Sequence, residues 1–293
     1  MKKVIITGAA GFIGSNLSAR LLKEGYFVIG IDNFDNFYNP EIKRAAVKKL
    51  KLSESFRIYE GDIRDKIFIN HIFESEKPEL IIHLAARAGV RPSIQEPGLY
   101  YDVNVNGTLV LLEAMKSAGI KDMLFASSSS VYGNNKKVPF SELDSVDNPI
   151  SPYAATKKAG ELLCYTYHHL YNFNIFCMRF FTVYGPGQRP EMAIQQFGRK
   201  TLNGEPVTLF GDGTTRRDYT FIDDITSGLS AAVKRLKGYE IFNLGNSDTI
   251  SLLDLVHGIE ETLGKKAIIN WQPMQPGDVE ITYADVDKAR KML

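Results

Sequence analysis

Cysteine is scarce in this chain: Cys164 and Cys177 are the only two in 293 residues. Each lies in an apolar stretch, with no CxxC spacing and no cysteine-rich cluster. That excludes a disulfide scaffold and a thiolate metal site, and the expectation is two buried free thiols in a reducing cytoplasm. Histidine is nearly as rare, at five residues. None falls in an HxxxH or HExxH arrangement, so no protein-ligated metal is expected. No run approaches the ~20 apolar residues of a membrane helix. The amino-terminal MKKVIITGAAGFIGS begins like an export signal, but glycines interrupt its apolar run, and it reads as a strand. Neither sign of charge dominates: 35 Lys plus Arg stand against 34 Asp plus Glu. Nothing in that balance points to nucleic acid or an anionic membrane as partner, so any anion site has to be local.

What is present is alternation. KKVIIT (2–7), YFVIGID (26–32), FRIYEGD (56–62), ELIIHLAA (79–86), KDMLFASSS (121–129) and NIFCMRFF (174–181) read as strands. Helical patterns lie between them, including 15–25, 99–118 and 151–172. This predicts the α/β class: right-handed βαβ units in a doubly wound parallel sheet of Rossmann type. Ligands of such sheets bind beyond the carboxyl ends of the strands. After about residue 181 glycine and proline become denser, in GPGQRP (185–190), NGEP (203–206) and FGDGTTRRDYTF (210–221). Residues 1–180 are expected to form the dinucleotide-binding domain. Residues 181–293 are expected to form mainly a smaller substrate-binding lobe, with segments such as EIFNLGN (240–246) returning to the main sheet.

TGAAGFIG (7–14) puts Gly8, Gly11 and Gly14 directly after the first strand and before the first helix. One glycine is needed for a tight turn, one for close approach of backbone to a pyrophosphate, and one for packing helix on strand. The helix start, at Phe12 and Ile13, then offers free N–H groups to phosphate. Asp32 closes the second strand, where a carboxylate accepts hydrogen bonds from ribose hydroxyls and repels a 2′-phosphate. The expected cofactor is NAD rather than NADP.

SPYAATKK (151–158) opens a helix with Ser151 as N-cap and Pro152 at the first position. Tyr153 and Lys157 then share one face, four residues apart. An ammonium ~4 Å from a phenolate is worth ~4 kcal/mol at an effective dielectric near 20. That is roughly three pKa units, enough to make Tyr153 a general base. A plain solvated face is the alternative for such a pair; the dinucleotide loop upstream favours catalysis. ASSSSVYG (126–133) ends a strand at the same sheet edge. Ser128 could share a proton with Tyr153, with Ser129 and Ser130 donating nearby; otherwise the serines merely make a turn.

These motifs together resemble the extended short-chain dehydrogenase/reductases, specifically the NAD-dependent nucleotide-sugar epimerases. GDIRD (61–65), HLAARAGVR (83–91) and RRDYTFIDDI (216–225) extend the likeness along essentially the whole chain. FDNFYNPEIKR (34–44), AGVRPSIQEP (88–97) and TVYGPGQRPEMA (182–193) are closest to the UDP-glucuronate 4-epimerases. The resemblance implies a catalytic triad of Ser128, Tyr153 and Lys157. It implies cofactor contacts from the glycine loop, Asp32, Asn33, Asp62, Ile63, Leu84, Ala85 and Ala86. Uridine and diphosphate contacts fall on Phe210, Arg217 and Asp278. The sugar and its carboxylate fall to Arg87, Thr182 and Arg189, assisted by Ser129 and Ser130.

The implied reaction is reversible inversion at C4 of a UDP-sugar through a transient 4-keto intermediate, from UDP-glucuronate to UDP-galacturonate. GPGQRP also occurs in UDP-glucose 4-epimerases, and many glucuronate enzymes carry an aromatic residue where this chain has Gly187. UDP-glucose/UDP-galactose epimerisation is therefore the alternative. Dehydratases and decarboxylases of this fold need acidic residues where Ser129 and Ser130 stand. A non-enzymatic NAD sensor would be expected to lack Tyr153 or Lys157. The resemblance also implies a homodimer through the helices at 99–118 and 151–172, whose Leu109, Leu112, Leu162 and Leu163 look exposed. The alternative is that these leucines face the chain's own sheet.

Overall fold

The strand-forming runs of the first half are apolar on both faces, and only a sheet covered on both sides can bury them. The computed structural model describes residues 1–275 and 277–293. Six strands follow the predicted series: β1 (Lys3–Thr7), β2 (Phe27–Asp32), β3 (Phe56–Glu60), β4 (Leu80–His83), β5 (Asp122–Ser128) and β6 (Asn174–Phe180). With Tyr239–Leu244 they make one parallel seven-stranded sheet in the order Tyr239–Leu244, β6, β5, β4, β1, β2, β3. Alternate side chains enter separate cores on the two faces: Val4 and Ile6 on one, Ile5 on the other. The chain reverses direction of travel between β1 and β4, and the crevice opens there at the carboxyl ends.

The helices are α1 (Phe12–Lys23), α2 (Pro40–Leu50), α3 (Lys66–Glu76), α4 (Val90–Gln95), α5 (Pro97–Tyr101), α6 (Gly107–Ala118), α7 (Pro152–Tyr171), α8 (Ala193–Asn203), α9 (Ile222–Arg235), α10 (Leu252–Leu263) and α11 (Asp287–Met292). The predicted helix at 99–118 is interrupted: a π turn, Asp102–Asn106, separates α5 from α6. The predicted strand at 79–86 stops at His83, and Leu84–Ala86 leave the sheet.

Beyond β6 come β7 (Thr182–Tyr184), β8 (Pro206–Phe210), β9 (Arg216–Arg217), β10 (Tyr219–Phe221), β11 (Tyr239–Leu244, the seventh strand of the main sheet), β12 (Ile250–Ser251) and β13 (Ile268–Gln272). β7 pairs with β10, β8 with β13, and β9 with β12. Phe197, Val207, Leu209 and Val256 form a separate small core here.

Two of the four leucines proposed for a partner surface are exposed, Leu109 and Leu162. Leu112 is not. It is fully buried, and Leu163 is partly buried against the same sheet-facing core. The helical stripe carrying Leu112 faces the chain's own sheet, so that residue has no surface to offer.

Helix α7 lies close on β5 because Gly160 presents no side chain to Phe125. A Cβ there would sit 2.3 Å from the ring. Gly160→Ala is expected to lower the unfolding free energy by about 1–2 kcal/mol, overpacking outweighing the gain in helix propensity. Urea denaturation measures this, and an unchanged or higher midpoint would contradict the contact.

Candidate active site

The glycine loop divides its three tasks clearly. Gly8 turns at φ +71°, and a Cβ would meet Ala85 N at 2.8 Å. At Gly14 a Cβ would lie 2.1 Å from Gly8 O, so this glycine packs the helix onto the loop. Gly11 is confined only by Gly8 O, at 3.2 Å, and leaves its other side open to a cavity of about 540 Å³. Phe12, Ile13, Ile63, Leu84, Ala85 and Ala86 share the wall.

Asp32 is buried at its rim, where its carboxylate accepts hydrogen bonds from Ala10 N (3.0 Å) and Phe34 N (2.9 Å). Burial pushes its pKa up against the pull of those N–H donors. Asn33 donates to Asp62 (3.0 Å), and the Arg64 guanidinium beside Asp62 holds that carboxyl down to about 2. A glycine turn leading into the start of α1, with a carboxylate at its rim, fits a dinucleotide with a free ribose 2′-hydroxyl.

At the cavity floor stands the serine turn after β5. Ser128 Oγ accepts from Ser130 N (3.2 Å) and Ser130 Oγ (3.0 Å). Its own proton is thereby left free, and the Ser128 hydroxyl pulls the Tyr153 phenol down. Tyr153 enters from the first turn of α7, fixed by Ser151 Oγ accepting from Ala154 N (3.1 Å). Lys157 follows one turn on and is buried.

The Lys157 ammonium donates to Ala126 O (2.8 Å) and sits 6.0 Å from the Tyr153 ring centre. Burial raises Tyr153, while the Ser128 hydrogen bond and the Arg189 charge pull it back. Burial also brings Lys157 itself down to about 8.

Another part of the wall carries paired guanidiniums. Arg87 pairs with Asp35 (2.6 Å) and Arg189 with Glu191 (3.1 Å), and both guanidiniums flank the Phe37 ring. Thr182, Ser129, Arg217 and Asp278 complete this wall. Among the described residues Arg217 donates to the carbonyls of Arg216 and Glu280, and burial lowers its pKa. Asp278 pairs with Arg91 (2.6 Å), and Arg91 covers the Phe210 ring at 4.2 Å. Phe210 therefore does not reach the cavity wall, unlike every other residue expected there.

Sequence reasoning missed several residues. Asn104, in the π turn, accepts from Arg87 N (2.8 Å) and donates to Arg87 O (3.0 Å) and Thr156 Oγ1 (3.0 Å). Thr156 in turn donates to Tyr153 O (2.8 Å). Buried His83 bridges Thr7 (2.7 Å) and Thr108 (3.0 Å), and burial lowers its pKa to about 3, so it is neutral. Neither residue carries a local signal. Lys43 does: it shares the buried stripe of α2 with Val47 and Leu50, and its ammonium donates to Asp35 O (2.8 Å) at the cavity edge.

The family model for the NAD dependent epimerase/dehydratase family matches residues 4–245. The chain belongs to that family. It is 47% identical to a UDP-glucuronate 4-epimerase of Thermodesulfobacterium geofontis, over 99% of this chain and 89% of that protein. It resembles the crystal structure of the Bacillus cereus UDP-glucuronic acid 4-epimerase in complex with UDP-glucuronic acid and NAD. There the TM-score is 0.94 and the identity 38%, over 99% of this chain and 92% of that one. The Thermus thermophilus UDP-glucose 4-epimerase complex with NAD matches at TM-score 0.90 and 30% identity, with the same coverage. Membership carries dependence on NAD, which the glycine turn and Asp32 fit.

The buried lysine makes a pH prediction. Lys157 loses its proton at about 8 in the folded chain and near the ordinary 10.5 when unfolded. Between these values the unfolded state binds the extra proton, so this group's contribution to stability rises with pH across that window. Below it, the buried ammonium costs stability. Cofactor-free Lys157→Met is expected to be more stable than wild type near pH 7 by roughly 1–3 kcal/mol. The gap should close as pH rises from 8 to 10.5. Paired denaturation curves across that range test it, and a constant gap would contradict a buried ammonium.

Proposed function

We propose that this enzyme is an NAD-dependent UDP-sugar 4-epimerase that interconverts UDP-glucuronate and UDP-galacturonate. The observation that carries the reading is the placing of Arg189 on the wall of the same cavity as the Ser128–Tyr153 pair. A guanidinium matches a carboxylate with two hydrogen bonds. Likeness to UDP-glucuronate 4-epimerases over almost the whole chain supports it.

In this reading Tyr153 takes the proton from the sugar 4-hydroxyl and later returns it, with Ser128 donating to the same oxygen. NAD, when bound, supplies hydride transfer at C4, by way of a transient 4-keto sugar. Lys157 holds positive charge beneath the tyrosine ring. Asp32, Asn33 and Asp62 hold the adenosine end, and Arg217 and Asp278 the diphosphate. Residues 181–293 mainly form the lobe that grips UDP, whose remote binding energy holds the sugar while it turns over. Thr182, Arg87, Ser129 and Ser130 orient the hexose.

A second reading, UDP-glucose/UDP-galactose epimerisation, is favoured by the Arg189–Glu191 ion pair, which already gives the guanidinium a carboxylate. That pair is partly exposed and so contributes little stability, which leaves Arg189 able to exchange partners. Gly187 does not decide between the sugars. Its φ of +86° is reason enough for glycine. The protein is further proposed to be a cytoplasmic homodimer that uses exposed Leu109, Leu162, Tyr165 and Leu170 on α6 and α7.

Tyr153→Phe removes the base and keeps the ring, and is expected to slow epimerisation at least ~100-fold. Nuclear magnetic resonance of the 4-position proton follows the reaction; near wild-type turnover would overturn the role. Arg189→Ala is expected to reduce catalytic efficiency with UDP-glucuronate by about 10–100-fold, with affinity for UDP alone little changed. Equal loss of UDP affinity would place Arg189 at the diphosphate instead. Light scattering at micromolar concentration should report a dimer, and a monomer would refute the interface.

A further inference from the structure

Behind the cavity floor lies a bidentate ion pair between α7 and β6. Arg179 donates from Nε to Glu161 Oε1 (2.8 Å) and from Nη2 to Oε2 (2.9 Å), and both side chains are 1% exposed. A pair so deep is tolerated only when its remaining donors and lone pairs are also satisfied. Two residues of a single turn satisfy them. Ser127 Oγ donates to Glu161 Oε1 (2.6 Å). Arg179 Nη1 donates to the Tyr132 hydroxyl (3.0 Å), which passes its own proton to Asn243 Oδ1 (2.7 Å).

Ser127 and Tyr132 bracket Ser128, Ser129 and Ser130. Glu161 stands four residues after Lys157 and eight after Tyr153 on the same helix, so the pair joins the helix of the base to the turn of the serine. The network runs on through Asn243 Nδ2 to Phe140 O (2.8 Å) and Asp285 O (3.0 Å), which anchors it beyond the turn. An apolar pair of the same size would often be more stable at such a depth. What it could not do is grip both ends of the turn by hydrogen bonds.

We propose that Glu161 and Arg179 are positioning residues, whose ion pair clamps the serine turn at Ser127 and Tyr132 and so sets Ser128 against Tyr153. Its kinetic consequence rests on the epimerase reading above; its geometry does not. Tyr153 faces Ser128 from the turn, Lys157 from its own helix, Tyr100 from α5 and Arg189 from the later lobe. Of these contacts only the one with Ser128 depends on the clamp.

The test uses NAD-loaded Ser127→Ala and Tyr132→Phe, each of which removes one end of the clamp. Ser127→Ala leaves both Arg179–Glu161 bonds in place, so it decides the matter even where Tyr132→Phe fails to fold. A misplacement of about 1 Å costs up to ~100-fold, so kcat is expected to fall by roughly 10–100-fold with KM for the UDP-sugar within about twofold. The rising limb of the kcat–pH profile should move to higher pH, because a displaced Ser128 no longer lowers the Tyr153 phenol. Ser127→Thr, which keeps the donor, should restore both. Unchanged kcat and an unmoved limb in Ser127→Ala, whatever its melting temperature, would reduce the pair to a structural role. Wild type in the same assay tests the epimerase reading separately. If it shows no turnover, the Tyr153 ionisation, read by ultraviolet difference titration against Tyr153→Phe, still decides. An upward shift in Ser127→Ala supports the clamp, and an unshifted step overturns it.

Discussion

Three cations at this site face the cavity with no carboxylate in contact among the described residues: Lys43, Lys157 and Arg217. Each is held by backbone carbonyls, and for each burial lowers the pKa. A cation removed from water without a counter-ion is unfavourable, and the penalty eases when an anion enters. In the proposed reading a diphosphate lies beside Arg217, and such a ligand would ease this penalty.

Tyr153 lies in the same cavity, and in the cofactor-free chain burial holds its phenol above the ordinary value. The Ser128 hydroxyl and the Arg189 charge pull it back down. Under the proposed function, base strength and substrate recognition are thus linked through the Arg189 guanidinium.

Much of this was legible in the sequence, for a physical reason. The glycine loop, Asp32 and the capped start of α7 are set by contacts within a strand–turn–helix unit, and their spacing alone reports them. The interruption at Asp102–Asn106 was not legible, because a π turn leaves the helical pattern nearly intact. The direction of the Lys157 side chain depends on a carbonyl 31 residues earlier. The Arg91–Asp278 pair that accompanies the cover on Phe210 spans 187 residues. Leu112 was misread because a stripe of leucines does not say which side of a helix meets the sheet. Arg179 and Glu161 sit in ordinary strand and helix patterns, and nothing local marks their meeting.

Arg189 is where the account is most exposed. In the structure it spends its charge on Glu191, at 3.1 Å, in a partly exposed pair. A sugar carboxylate would replace that partner, whereas a neutral hexose offers a hydroxyl in its place. Hydrogen bonds to charged groups contribute about 1.5–3 kcal/mol, or one to two decades in affinity. The direct measurement is the catalytic efficiency of the wild-type enzyme on UDP-glucuronate and UDP-glucose side by side. The account predicts a preference for UDP-glucuronate of at least ~10-fold; equal or faster turnover of UDP-glucose would contradict it.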